Sequence, residues 1–321
     1  NLDAEGGRQT KIAMDEEDTT VWLTTLDPTT VSVLKFDEIF LQKHLPAIHG
    51  ENMFALICDQ AKLVYPVYVE TMVAHGLWRL RRAGAAEDRI PASMVAVENA
   101  VTDRGPGAHP MTGPIRVEGA EPGDVLEIRV LDIDFLTPFG VSGFLPGGGT
   151  LPDHFPYGQF RFFEFDLEAE TARMVGTDLD VPLRPFFGSV GVAPPEMRGR
   201  ISSGPPGYHG GNFDNKELVP GTTLYLPVHV SGGNLSIGDG HAAQGDGEVS
   251  GTAIETSLTG TVEVRLRKDL ALRWPRMETP THYVSMGLHP DLDEAARMAV
   301  LEMVDFLVRQ HGLTREDAYV L

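Results

Sequence analysis

The run IGDGHAAQGDGE, Ile237 to Glu248, packs four glycines, three carboxylates and one imidazole into twelve residues. It lies shortly after LYLPVHV, an apolar run that reads as a buried strand. Hard divalent cations take oxygen ligands, and zinc takes imidazole and carboxylate together. Asp239 and His241 stand two residues apart, so on extended backbone they project to one side and reach one ion. Gly238 and Gly240 permit the bend between them, and Asp246 and Glu248 repeat the spacing. The other reading of the same residues is a solvated acidic turn carrying a surface histidine.

Two further segments carry ligand-type side chains. GYHGGNFDNKEL sets His209, Asn212 and Asp214 around Gly210–Gly211, a pattern that also suits an Asx turn before a strand. AHPMTGP holds His109 before Pro110, where a histidine is often only a loop residue. Nucleophile signals are weaker. The chain has no G-x-S-x-G elbow. Its single cysteine, Cys58, sits in the apolar ALICDQA, typical of an inert buried thiol. GFLPGGGTL lacks the Lys-Ser/Thr ending of a phosphate loop.

These residues need a scaffold, and residues 94–267 supply one. Short Val/Ile/Leu-rich segments alternate with Pro/Gly clusters, and EPGDVLEIRVLDI is a turn followed by strict alternation. The expected fold is mainly β with a few helices (α+β), a sandwich or barrel-like body. Long connections are expected at Pro138–Tyr157 and Arg198–Asp214. Phe139, Phe144, Phe155 and Tyr157 in the first either wall a pocket for the acyl group or pack the loop onto its own body. Upstream, VYVETMVAHGLWRLRRAG has near-helical apolar spacing with Gly84 as a C-terminal cap. Downstream, a helix is expected from Asp291 to Gly312 with Ala296, Val300, Met303 and Leu307 at helical steps and Met298, Met303 and Phe306 read as core rather than a cofactor box, then a second helix with Thr314 and Asp317 at its start. Residues 1–95 form an N-terminal region of unclear assignment whose first 20 residues read as loosely ordered, and residues 96–321 form the β-rich region.

Composition narrows the partners. With 42% hydrophobic and 22% charged residues the chain is an ordinary globular one. A net charge of −20 disfavours nucleic acid and anionic membrane. One cysteine fits a reducing compartment, and no apolar run is long enough to span a bilayer, so the expected location is cytoplasmic. Apolar loop residues on an acidic body suggest a homo-oligomer.

Taken in order, HPMTGPIRVEGAEPGDVLEIRVLDI, RPFFGSVGVAP, HGGNFDNKEL, GTTLYLPVHVSGGNLSIGDGHAAQGDGEVSGTAIET and the segment from MGLHPDLDEAARM to the last residue resemble the acetamidase/formamidase family. The resemblance covers Val97 to Leu321, about two thirds of the chain. It implies hydrolysis of a short linear amide to a carboxylic acid and ammonia, a β-rich fold with few helices, and an oligomer. The shared polar residues are His109, His209, Asn212, Asp214, Asp239, His241, Gln244, Asp246 and Glu248. Two features depart from it: residues 1–95 show no counterpart of the family's opening strand hairpin, and relatives continue past EDAYVL, so the chain reads as trimmed or as lacking part of the scaffold.

With the residue types, the resemblance makes a divalent metal plausible, zinc favoured over calcium or another ion, held by His109, Asp214, Asp239 and His241. Glu248 is then the candidate general base and acid, and Asn212 orients the amide. Backbone N–H groups of Gly210–Gly211 or Gly238–Gly240 form the oxyanion site, and Asp246 holds an imidazole in its tautomer. Two alternatives stand beside this reading: a non-catalytic β protein stabilised by calcium-type loops, and a metal-free amidase using Cys58 and glutamate.

Overall fold

Alternating apolar segments broken by Pro/Gly turns fold here as three sheets that are antiparallel apart from one short edge pairing. The computed structural model describes residues 11–14, 21–27, 30–36, 55–56, 66–70, 77–92, 94–96 and 105–321. Cys58, and most of the first 20 residues, lie outside the described residues.

The N-terminal part contributes β1 (Lys11–Met14), β2 (Val21–Asp27), β3 (Thr30–Phe36), β4 (Ala55–Leu56), β5 (Pro66–Glu70) and helix α1 (Leu77–Ala83). Then come β6 (Met111–Val117), β7 (Val125–Phe135), β8 (Phe139–Phe144), β9 (Gln159–Asp166), β10 (Thr171–Met174), β11 (Asp180–Pro182) and β12 (Phe186–Gly191). The remainder is β13 (Gly210–Asn212), β14 (Thr223–Pro227), β15 (Leu235–His241), β16 (Leu258–Arg267), β17 (Arg276–Glu278) and β18 (Tyr283–Ser285). Helices α2 (Leu292–His311) and α3 (Arg315–Val320) follow.

The nine-stranded sheet runs β1-β2-β3-β5-β16-β7-β14-β17-β18, and the five-stranded sheet runs β13-β12-β15-β6-β4. One core joins them: Leu126, Ile128, Leu224 and Val264 of the first pack with Ile115, Phe187, Val190 and Ile237 of the second. Two sheets sharing one apolar layer make a sandwich, which settles the choice between sandwich and barrel. The third sheet, β11-β10-β9-β8, lies under α1, with Phe139 and Phe162 stacked at 5.4 Å.

Several local expectations change. VYVETMVAHGLWRLRRAG is not one helix: β5 takes its first residues, and the described helix is Leu77–Ala83, closed at Gly84 with φ +93°. Pairing of β5 with β16 outweighs the helical spacing, because a ladder partner was not visible locally. The N-terminal region does contain a strand hairpin, β2 against β3 from Val21↔Phe36 to Asp27↔Thr30. Pro138–Tyr157 begins as strand β8 rather than loop, and Phe144, Phe155 and Tyr157 cluster with one another at 5.3–6.3 Å, so the aromatics pack the loop on itself.

Both terminal helices are capped, Asp291 accepting from the Glu294 N–H and Thr314, as its spacing to Asp317 suggests, from the Asp317 N–H. The expected apolar face of α2 is buried only in part: Phe306 lies in the core as expected, and Ala296 and Val300 are exposed. Val304 and Phe306 are its buried residues, while Val300 is 48% exposed, because the helix docks through Phe306 onto Tyr283 of β18 at 4.8 Å. Among the described residues, no helix is long and apolar enough to cross a membrane.

Candidate active site

Strand β15 carries the centre of the site. It is buried between β12 and β6, and Gly238 is required there: a Cβ would lie 2.2 Å from the Pro110 carbonyl. Asp239 follows with φ +61°, a left-handed conformation that an aspartate tolerates better than most residues. Asp214 (φ +47°) and Glu248 (φ +43°) share this feature, so three of the five non-glycine positive-φ residues among those described are acids of one cluster. Strain gathered in this way is characteristic of functional sites.

Beyond His241 the chain turns out into a loop and returns. The Ala242 N–H donates to the Ile254 carbonyl and the Thr256 N–H to the Gly240 carbonyl, which sets Glu255 opposite His241. The Asp214 N–H donates to the Gly188 carbonyl at 3.1 Å, and Gln244 Nε2 donates to the Asp214 carbonyl at 2.7 Å. Gly188 is the floor: a Cβ there would lie 2.6 Å from Asp239 Oδ2, 2.7 Å from His241 Cε1 and 2.9 Å from Asp214 Oδ1.

His241 is the hub. Its Nε2 stands 3.4 Å from both Asp239 Oδ2 and Glu255 Oε2, and all three side chains are buried. Ligand atoms of Asp214, Asp239 and His241 lie within 4.8 Å of one another, and so do those of His241, Glu248 and Glu255. His109 approaches from outside, with Nε2 4.0 Å from Asp239 Oδ2 and Nδ1 2.8 Å from Ser203 Oγ. Ser189 Oγ donates to Asn212 Oδ1 at 2.8 Å and reaches Asp239 Oδ2 at 3.4 Å, while Asn212 Nδ2 donates to Asp214 Oδ2 at 2.9 Å.

Burial shapes the protonation of this cluster. It pushes Asp214 up to about 6, with Asp239 and Glu255 adding to the effect and His241 opposing it. It pushes Glu248 up to about 8, reinforced by the charge of Asp214. For His241, burial works downward but is outweighed by Glu255 and Asp239, which hold the imidazole well above its ordinary value. Arg79 of α1, itself buried, has its guanidinium value lowered by burial, with Glu255 and Asp239 acting in the opposite direction.

The donor set suits a divalent cation. Asp214 Oδ1, His241 Nδ1 and Glu255 Oε2 are buried and make no hydrogen bond among the described residues. Carboxylates around one imidazole match zinc, and their number of oxygens also accommodates harder ions. Leaving such atoms buried without a counter-ion is costly.

The other sequence candidates fall elsewhere. Asp246 is 87% exposed and pairs with Lys216 at 3.0 Å, so it does not hold an imidazole; the glycines beside it carry it out to solvent. The Gly210 N–H is occupied by the Gly207 carbonyl, which removes it as an oxyanion donor. Gly211 and Gly240 are ladder residues opposite Val190 and Phe187. His209 lines a neighbouring cleft, and burial, with His229 and Arg198, lowers its imidazole value. Glu255 was not singled out from the sequence, although an acid inside the small and apolar run SGTAIETSL was a signal that it is buried.

Comparison with known proteins identifies the family of the chain. Residues 104–203 and 198–321 match the model of the Acetamidase/Formamidase family. A formamidase of Methylophilus methylotrophus is 29% identical over 283 residues, 65% of this chain and 69% of that protein. An acetamidase of Mycolicibacterium smegmatis is 30% identical over 199 residues, 44% of this chain and 49% of that protein, so the match spans about half its length. The crystal structure of an acetamidase from Bacillus halodurans superposes with a TM-score of 0.66 at 33% identity, covering 82% of this chain and 85% of that one. The family match covers every residue of the acid cluster, and the chain belongs to the acetamidase/formamidase family.

Proposed function

We propose that the protein hydrolyses short linear amides at the cluster around His241, with Glu248 as the proton-transferring group. The observation that carries this reading is a half-buried carboxyl, Glu248, lying with His241 and Glu255 in an imidazole–carboxylate ligand set and raised to about 8, in a chain of this family. Asp214, Asp239, His241 and Glu255 would hold a divalent cation, zinc favoured, with His109 close enough to contribute. When bound, such an ion supplies Lewis-acid polarisation of the amide carbonyl.

The residues of the chain account for the remaining steps. Ionised Glu248 takes a proton from water as the water oxygen bonds to the carbonyl carbon. The C–N bond then breaks as Glu248 returns that proton to nitrogen, releasing carboxylic acid and ammonia, and the acid then passes its proton to ammonia in water. A carboxyl tuned near neutral pH suits both directions. Asn212, which accepts from Ser189 Oγ and donates to Asp214, would orient the amide.

The test is ammonia release from a panel of amides before and after chelation, with add-back of single metals. Loss on chelation and return with zinc supports the whole reading. Release indifferent to chelator removes the metal and keeps the amidase. The absence of any release favours a structural, calcium-type role for the cluster. Alkylation of Cys58 with activity retained excludes a thiol mechanism. A homo-oligomer and a cytoplasmic location belong to the same proposal. Leu292, Leu301, Tyr319 and Val320 on α2 and α3 are exposed apolar side chains suited to a second copy, and light scattering reads the mass.

A further inference from the structure

The cleft beside the acid cluster is too large for a one-carbon amide. Its volume is about 640 Å³, within the roughly 300–1,000 Å³ of pockets that enclose drug-sized ligands. Two of its lining hydroxyls touch the cluster: Ser189 Oγ reaches Asp239 Oδ2 at 3.4 Å, and Ser203 Oγ bonds to His109 Nδ1 at 2.8 Å. The cleft therefore borders the cluster, with these two hydroxyls in the wall between them. Much of the remaining lining is aliphatic: Met111, Pro114, Val192, Ala193, Pro194 and Ile201. Arg200 is the one permanently charged side chain among the lining residues, and burial favours the neutral form of His209.

We propose that this cleft is an acyl subsite, and that the protein prefers unbranched aliphatic amides of intermediate length, such as pentanamide, over formamide and acetamide. The inference rests on the amidase reading above. An alkyl chain entering from the amide end gains burial against the aliphatic wall without stranding a charge. Each methylene moved from water into such surface is worth about 0.8 kcal/mol, or about fourfold in kcat/KM when the gain is expressed in the transition state.

The experiment measures kcat/KM for formamide, acetamide, propionamide, butyramide and pentanamide with the metal-loaded full chain. We expect a rise of about fourfold per methylene from acetamide to pentanamide. Ala193→Leu narrows the cleft and should cost about tenfold on pentanamide while acetamide changes less than about twofold. Ile201→Trp, at a second lining position, gives the same reading if the first variant does not fold. A kcat/KM that falls beyond acetamide, or a chain-length slope unchanged in both variants, overturns the acyl subsite while leaving the amidase intact. No ammonia from any amide removes the amidase reading and this inference with it.

Discussion

His241 Nε2 and Glu255 Oε2 stand 3.4 Å apart with side chains only 1% and 3% exposed, although fourteen positions of sequence separate the two residues. The return of the chain after the 244–253 loop makes this contact, and the contact makes the cluster.

Removing one member of a buried charge pair leaves the other uncompensated. Glu255→Gln should therefore lower unfolding stability by about 3 kcal/mol and weaken divalent-cation binding more than tenfold. Denaturant melts and metal titration check both. Unchanged values would show that Glu255 is a bystander.

The pH dependence of stability has a definite sign. Asp214 and Glu248 reach about 6 and about 8 in the folded protein, above ordinary carboxyl values, and His241 is also raised. Each group binds more protons folded than unfolded, so its contribution is present at low pH and is lost as pH rises through the folded value. Cation-free protein should melt at progressively lower temperature between about pH 5 and pH 8. Because a cation prefers the ionised carboxylates, the gain in Tm on adding zinc should grow over the same interval. An equal gain at both ends argues against this cluster as the binding site.

Gly188→Ala tests the floor. Its Cβ would meet Asp239, His241 and Asp214 at 2.6–2.9 Å, so the ligand atoms must move apart while β12 stays paired. Cation affinity should fall at least about tenfold with far-UV circular dichroism unchanged. Affinity equal to that of the parent protein would place the binding atoms elsewhere.

Glu248→Gln keeps shape and removes the transferable proton. We expect kcat to drop by about 10²–10⁴ while cation binding stays within about tenfold. A small loss in kcat would assign proton transfer to another group.

Asp246→Asn is the control on the same loop. With its carboxylate 87% exposed beside Lys216, stability should change by less than about 0.5 kcal/mol and activity by less than about twofold. A large effect on kcat would restore the role that its spacing suggested.

Sequence alone is enough for the strand-rich body, for two terminal helices beginning near Asp291 and Thr314, and for a pool of ligand-type residues that held Asp214, Asp239, His241 and Glu248 together with His109, His209, Asn212, Gln244 and Asp246. These signals are local: alternation, capping and the crowding of glycine with acid each need only a few neighbouring residues. Tertiary structure alone decided that Glu255 faces His241, that Gly188 opens room for three ligand side chains, and that Asp246, only two residues from Glu248, points to solvent. It also decided that β5 is a strand rather than the start of a helix, and that α2 buries Val304 while leaving Val300 exposed. Each of these outcomes depends on which distant strand supplies the missing hydrogen bonds or the covering surface, and spacing along one stretch of chain carries no record of that partner.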